Sequence, residues 1–396
     1  MVLAPVATPP ALAGAPKTLE ERVADLEKGV TGVLRGVKFG ANLATSYVFN
    51  FNEPRSRAND FRSFDVDANS FELDLVQVSL DKPAEPVGFR IDLDYGRIAH
   101  HLGLATRNDL TGAFGGRDDV EVQQAYIAFT SRLVQGLTVK GGKFVTLAGA
   151  EVIEPNLNYT FSRSFLFGFV PFTHTGLRAS YGVGPLTATF GVNNGWDTTA
   201  DNNRGKTLEG QVAFAPTSML SVALTGYYGA ELTGMTGPKR TVGDLVVTVK
   251  PLPGWVASLN YDAIYDEDIS TVNSASAFSH GVAVTLHYDL TSRVGFTARG
   301  EYFRDEDNAK VPAGTKALLA GLTAPTSPGS TITPISATRG ATLYEGTATV
   351  SCKVAGPAEF RVEYRYDASN QNLFESDSGF ARDHQHTITA ALLVSF

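Results

Sequence analysis

Few stretches of this chain set chemically capable side chains at a usable spacing. Asp65, Asp67 and Asn69 begin like a calcium loop, but Ser70 stands where the tight turn needs glycine and Val76 where the bidentate carboxylate belongs. They read more simply as polar loop residues. His100 with His101, and His384 with His386, have side chains that bind metals, yet solvated histidines at a rim account for them as well. The G-x-S-x-G elbow, the H-E-x-x-H zinc helix and a Gly-rich phosphate loop do not occur. No catalytic residue, metal or cofactor is therefore expected. One connection differs. Residues 150–173 combine Glu151, Glu154 and Arg163 with Phe161, Phe165, Phe167, Phe169 and Phe172. Five Phe side chains exposed together would form a larger apolar patch than a soluble surface tolerates. The segment must fold inward onto a wall or pack against another copy.

The elements that must position these residues are strands. In residues 88–95, Phe89, Ile91, Leu93 and Tyr95 alternate with Arg90, Asp92 and Asp94; in 360–367, Phe360, Val362, Tyr364 and Tyr366 alternate with Arg361, Glu363, Arg365 and Asp367. A period of two belongs to a strand with one apolar face. Val37, Phe39, Ala41, Leu43, Tyr47 and Phe49 repeat the pattern near the start, and Ile388, Ala390, Leu392, Val394 and Phe396 carry it to the final residue. An apolar terminal strand ending in an aromatic gains nothing in water, where chain ends fray. It fits a strand that closes a barrel against the first strand.

The connections separate a membrane barrel from a soluble sandwich. Tight junctions at 82–86, 132–136, 183–185, 216–218, 251–254, 290–292 and 355–357 alternate with long polar ones at about 52–68, 100–119, 150–173, 195–205, 230–241, 266–276, 305–339 and 370–382. Strict alternation of short and long is the signature of short periplasmic turns and long external loops. The fold class is all-β: a transmembrane antiparallel up-and-down β-barrel of about 16 strands, with a short N-terminal helix and both termini periplasmic. Ten steps from Trp255 to Tyr265, at ~3.3 Å each and a tilt of ~40°, span about 25 Å, the height of the apolar band of such barrels. Phe214, Trp255, Tyr288, Phe360 and Phe396 then mark the short-turn rim, and Tyr47, Tyr95, Tyr265, Tyr302 and Tyr366 the long-loop rim.

Composition agrees. Hydrophobic residues make up 43% and mean hydropathy is −0.05, so no segment reaches the roughly 18 apolar residues of a membrane helix, while strands with one wet face average to such values. A net charge of −8 with no basic run excludes nucleic acid as a partner. Cys352, the single cysteine, shares the lipid-facing register with Tyr344, Ala348 and Val350. Three regions are expected: residues 1–16, Ala- and Pro-rich, as residual leader or disordered tail; 17–34 as a short heptad helix on Leu19, Val23, Leu26, Val30 and Val33; and 36–396 as the barrel. The helix either rests on the periplasmic rim or joins subunits as a coiled coil.

GFRIDLDYG (88–96), QQAYIAF (123–129), GLTVKGGKFVTLAGAEV (136–152), SRSFLFGFVPFTHTGLRASY (162–181) and NNGWD (193–197) resemble the blocks of the OmpL-like β-barrel porin family of outer membranes. The similarity runs from about Gly36 to Phe396, densest over 70–200, and rests on strand and loop signatures without a catalytic motif. It implies a water-filled channel for passive diffusion of small hydrophilic solutes and ions. The expected partners are outer-membrane lipid, those solutes and, for assembly, further copies forming a homotrimer. The 150–173 connection resembles the constriction loop of general porins, with Glu151, Glu154 and Arg163 at the narrowest point opposite Arg90 or Arg178. Charges expected to face the lumen are Lys38, Lys353, Arg299, Arg361 and Arg365 near the closure seam, interrupted by Glu301, Glu345 and Glu363, with Glu72, Asp74, Asp92 and Asp94 from the second and third strands. Such mixing predicts modest ion preference. The alternative is a structural or adhesive barrel with a plugged lumen and partner-binding loops.

Overall fold

The computed structural model describes residues 19–20, 36–106, 119–268, 275–311, 340–378 and 380–396. The chain divides into Met1–Val37 and Lys38–Phe396, the second being the barrel. The expected leader, the heptad helix apart from Leu19 and Glu20, and residues 312–339 of the longest connection lie outside the described residues.

Alternating residues fold as strands β1 (Lys38–Asn50), β2 (Ser70–Lys82), β3 (Val87–Gly96), β4 (Asp119–Thr130), β5 (Leu137–Val145), β6 (Thr173–Val183), β7 (Leu186–Asn193) and β8 (Thr207–Thr217). The second half adds β9 (Leu220–Gly229), β10 (Arg240–Val249), β11 (Trp255–Asp266), β12 (Ala277–Asp289), β13 (Val294–Asp305), β14 (Ala341–Ala355) and β15 (Ala358–Ser369). A two-residue pair, β16 (Phe374–Glu375) with β17 (Ala381–Arg382), decorates the last long connection before β18 (His384–Ser395). Each barrel strand pairs antiparallel with its chain neighbours, and β18 pairs with β1, Leu43 opposite Val394 and Tyr47 opposite Ala390. Sixteen strands thus close with no free edge, which is what lets a sheet sit in lipid.

The two faces separate as the alternation requires. Phe71, Ile127, Leu177 and Leu224 point outward, 60–82% exposed to the surroundings a bilayer would fill. Trp255 stacks on Tyr288 at 4.5 Å between ring centres on the short-turn rim. Inward residues are mostly polar, with apolar ones such as Val242, Ile264, Phe303 and Leu393 among them. Bulges at Ala44/Thr45 and Asp92/Leu93 each add a residue to the partner strand, so Asp74 and Leu75, and likewise Gln123 and Gln124, are buried side by side. The apolar core lies inside the barrel. It is built by connections, including helix α1 (Arg97–Thr106) and one helical turn, α2 (Phe165–Gly168), packed on inward strand residues such as Leu75, Val242, Ile264 and Phe303; a 3-10 turn at Pro155–Leu157 lies in the same connection as α2.

Candidate functional site: a loop inside the barrel

The connection from β5 to β6 enters the lumen. Phe161, Phe165, Phe167, Phe169 and Phe172 are all at most 5% exposed. Phe169 stacks on Phe303 of β13 at 4.3 Å, and Phe167 and Phe172 pack on Phe64 of the β1–β2 connection at 5.6 and 5.7 Å. Apolar packing alone would not orient a loop, because it lacks direction. Polar bonds do that. Glu363 accepts the Phe161 and Ser162 amides at 2.6 and 2.9 Å, and Glu301 accepts those of Phe165 and Leu166 at 2.6 and 2.7 Å. Four backbone donors of a segment without regular pairing end on two wall residues, as buried amides must end somewhere. Ser164 caps α2 through its side chain, which accepts from Phe167 N.

The basic wall residues serve the same loop. Arg299 bonds Glu151 at 2.7 Å, the Ser162 carbonyl at 2.8 Å and Glu345 at 3.1 Å; Arg361 donates to the carbonyls of Pro155 and Thr160 at 2.9 and 3.1 Å. Arg365 pairs with Asp367 at 2.7 Å, donates to the Arg163 carbonyl and lies 4.9 Å from the Phe165 ring. The charges of β13 and β15 are therefore engaged in holding a loop.

The loop's own charged residues diverge. Glu151 reaches Arg299 and accepts the Ser164 amide at 2.8 Å. Glu154 crosses to the opposite wall, where Gln123 and Gln77 donate to it at 2.7 and 3.2 Å. Arg163 turns into the loop, donating to the carbonyls of Val152, Phe161 and Ile153, and burial lowers its guanidinium to about 10 despite Glu151 nearby. Opposite, Arg90 pairs with Asp92 at 2.8 Å and keeps a third of its side chain exposed. Arg178 grips Glu209 with two bonds of 2.6 and 2.8 Å. Gly191 stands between them in the ladder, where a Cβ would come within 2.2 Å of the Glu209 carboxylate. Glu72 lies 3.8 Å from Arg97, Asp74 accepts from Ser46 and Asp94 from Gln77, while Lys38 sits exposed at the start of β1. The candidate calcium residues are paired too: Asp65 with Arg62, Asp67 with Arg97.

A second inward connection escapes sequence reasoning. Residues 51–69 bury Phe61, Phe64 and Arg62 inside the barrel, Arg62 bonding Asp367 at 2.9 Å and Thr387 at 3.0 Å. Burial works against that charge, but Asp367 and Asp65 hold the guanidinium above its ordinary value. The Phe61–Phe64 spacing in an otherwise polar segment was the available signal.

Among the described residues, the loop of 146–172 hydrogen-bonds to β1, β2, β4, β8 to β11, β13 and β15, for example through Asn156 to Asn42, Gly149 to Asp244, Ala150 to Asn260 and Leu147 to Gln211. The wall of β3, β6 and β7, and of β5 below the loop's root, receives none.

The family described as "Putative beta-barrel porin-2, OmpL-like" matches residues 36–396. The chain belongs to this porin family. No curated protein matches it. Among solved structures, this porin is similar to OprB of Pseudomonas putida (12% identity, TM-score 0.58, covering 93% of this chain and 97% of that one). It is also similar to the trimer form of OmpT, an outer membrane protein of Vibrio cholerae (12%, 0.58, 91% and 99%), and to an anion-selective porin from Comamonas acidovorans (8%, 0.57, 91% and 99%). At such identities the likeness is one of fold. Family and barrel together make the porin an outer-membrane channel for passive diffusion.

Proposed function

We propose that small hydrophilic solutes and ions cross this porin through the sector of the lumen between the loop edge carrying Glu151 and Glu154 and the wall of β3 to β7 carrying Arg90 and Arg178. The observation that carries the reading is a gap in the loop's anchoring: it lies in the lumen and bonds this wall only through Gln123 of β4, so that β3, β6 and β7 receive no hydrogen bond from it. Arg163 then acts by holding the loop's shape, and Arg299, Glu301, Arg361, Glu363 and Arg365 by fixing its place. Glu72 is the acidic side chain offered to the lining, since Asp74, Asp92 and Asp94 are buried against Ser46, Arg90 and Gln77. The role is a channel's and not an enzyme's. Sixteen strands bring the start of β1, the end of β18 and the short turns to one rim, and we assign that rim, with both termini, to the periplasmic side.

A homotrimer is proposed as the assembly. At the long-loop ends of β4, β6, β7 and β8 the outward residues are Val120, Thr175, Val192 and Leu208, whereas Tyr95, Tyr228, Tyr265 and Tyr344 hold that place elsewhere. A sector without interfacial aromatics suits contact with another protomer better than contact with lipid headgroups. Purified porin in a planar bilayer should give stepwise ionic conductance. A persistently silent bilayer with folded protein would favour the plugged structural or adhesive barrel.

A further inference from the structure

The wall of β3 to β7, which the loop bonds only through Gln123 of β4, carries four cations, and three have a carboxylate each: Arg90 with Asp92 at 2.8 Å, Lys143 with Glu121 at 2.5 Å, Arg178 with Glu209 at 2.6 Å. Lys140 is the fourth. Among the described residues no carboxylate stands within ion-pair distance of it; its ammonium lies instead 4.6 Å from the centre of the Tyr126 ring and 4.9 Å from that of Phe144. Lys140 points inward, because Phe144 is wholly buried inside the barrel and neighbouring Gly141 faces the outward Leu177. Lys140 and Tyr126 are both half-buried, so each keeps a side turned to the lumen. Ring faces orient an ammonium without neutralising it. The charge is thus positioned and available.

We propose that Lys140, with Tyr126 beside it, is a transit-binding site for small organic carboxylates that carry a planar apolar body. This rests on the passage lying along β3 to β7. The carboxylate meets the Lys140 ammonium, with the partly exposed Arg90, Tyr126's register partner, on the adjacent strand; the planar body lies on the Tyr126 ring, since aromatic faces pack offset on one another. Arg178 cannot compete for the anion because its Nε and Nη2 are closed on Glu209 and its Nη1 on the Val145 carbonyl. Binding at one exposed charge is weak, which transport requires: a solute must enter the site and also leave it.

The test uses the full chain in planar bilayers, with benzoate as the probe and acetate, which has no ring to lie on Tyr126, as its control. Benzoate should reduce the chloride current. Lys140→Met should weaken that block about tenfold, the loss of one charge-assisted contact, and move the reversal potential in a KCl gradient toward cations. Lys140→Arg should retain the block within about twofold, and a heat-shifted gel band checks folding of each variant. Tyr126→Leu should weaken the block by benzoate and leave acetate unchanged. Equal block in the parent and Lys140→Met overturns the site; equal loss for both anions in Tyr126→Leu overturns the planar body. If the parent itself is silent, the passage has failed and the site is judged alone. Saturation transfer from detergent-folded porin to benzoate that vanishes in Lys140→Met then supports it, and absence of transfer in the parent overturns it.

Discussion

Replacing Glu363 by Ala removes one acceptor from three hydrogen bonds: the Phe161 amide at 2.6 Å, the Ser162 amide at 2.9 Å and the Thr349 hydroxyl at 2.8 Å. Both loop amides are buried, at 4% and 1% exposure of their residues, so they find no other protein partner without the loop moving. A bond to a charged acceptor contributes roughly 1.5–3 kcal/mol. Two of them make about 3–6 kcal/mol of anchoring, an upper figure because water entering the gap restores part of it. Glu363→Gln keeps one oxygen and turns an amide donor toward a donor, losing about half as much. Arg361 still holds the Pro155 and Thr160 carbonyls, so the loop is loosened and not released. Single-channel recordings should therefore show open-channel noise and brief larger-conductance states, strongest in Glu363→Ala, intermediate in Glu363→Gln and lowest in the parent. The heat-shifted gel band should be unchanged, because the barrel ladder does not run through this side chain. A quiet trace of parental conductance from folded Glu363→Ala would refute the reasoning and assign the loop's position to Phe packing alone.

Deleting residues 157–169 should enlarge unit conductance; a folded deletion that conducts like the parent would remove Glu151, Glu154 and Arg163 from the constriction. Asp197, between β7 and β8, accepts the Phe172 and Thr173 amides at 2.8 and 2.7 Å, and burial raises its carboxyl from 3.8 to about 7. A raised carboxyl favours the folded, amide-bonded arrangement fully below its ordinary value, and that contribution, up to ~4 kcal/mol, is lost as pH rises from about 4 through about 7. Hydrogen-exchange protection of those two amides should fall over that range and be flat in Asp197→Asn; a parent that is already flat contradicts the linkage. Deleting residues 17–34 should lower the oligomer mass in detergent if the heptads join subunits, and an unchanged mass leaves a rim helix. The intact chain should require detergent and run as a heat-modifiable band, whereas solubility without detergent would end the membrane reading.

The barrel was legible because closure depends on quantities a sequence displays. Alternation names the outward face of each strand, connection length names the side on which it turns, and an apolar last strand names what closes on the first. Ile388, Leu392 and Phe396 lie on the exposed outer face, while Ala391 and Leu393 are buried within. The bulges beside Asp74 and Gln123 were not legible, since an added residue leaves no mark on alternation once both neighbours are buried. The inward fold of residues 150–173 could be read for the same reason as the barrel: five Phe side chains have no stable place in water.

Residue types alone therefore decided the strand count, the closure and the need to bury one long loop, all consequences of where water and lipid must lie. Partners were decided only in three dimensions. Glu151 meets Arg299 across 148 positions and Arg62 meets Asp367 across 305, separations over which a charge in a sequence gives no hint of its counterpart. Arg163 carries the same guanidinium as Arg178, yet one is closed on carbonyls of its own loop and the other on a carboxylate two strands away. Whether a lumen charge is free to meet a solute depends on what every neighbouring side chain already holds, which is why Lys140 stands out only once the pairs around it are formed.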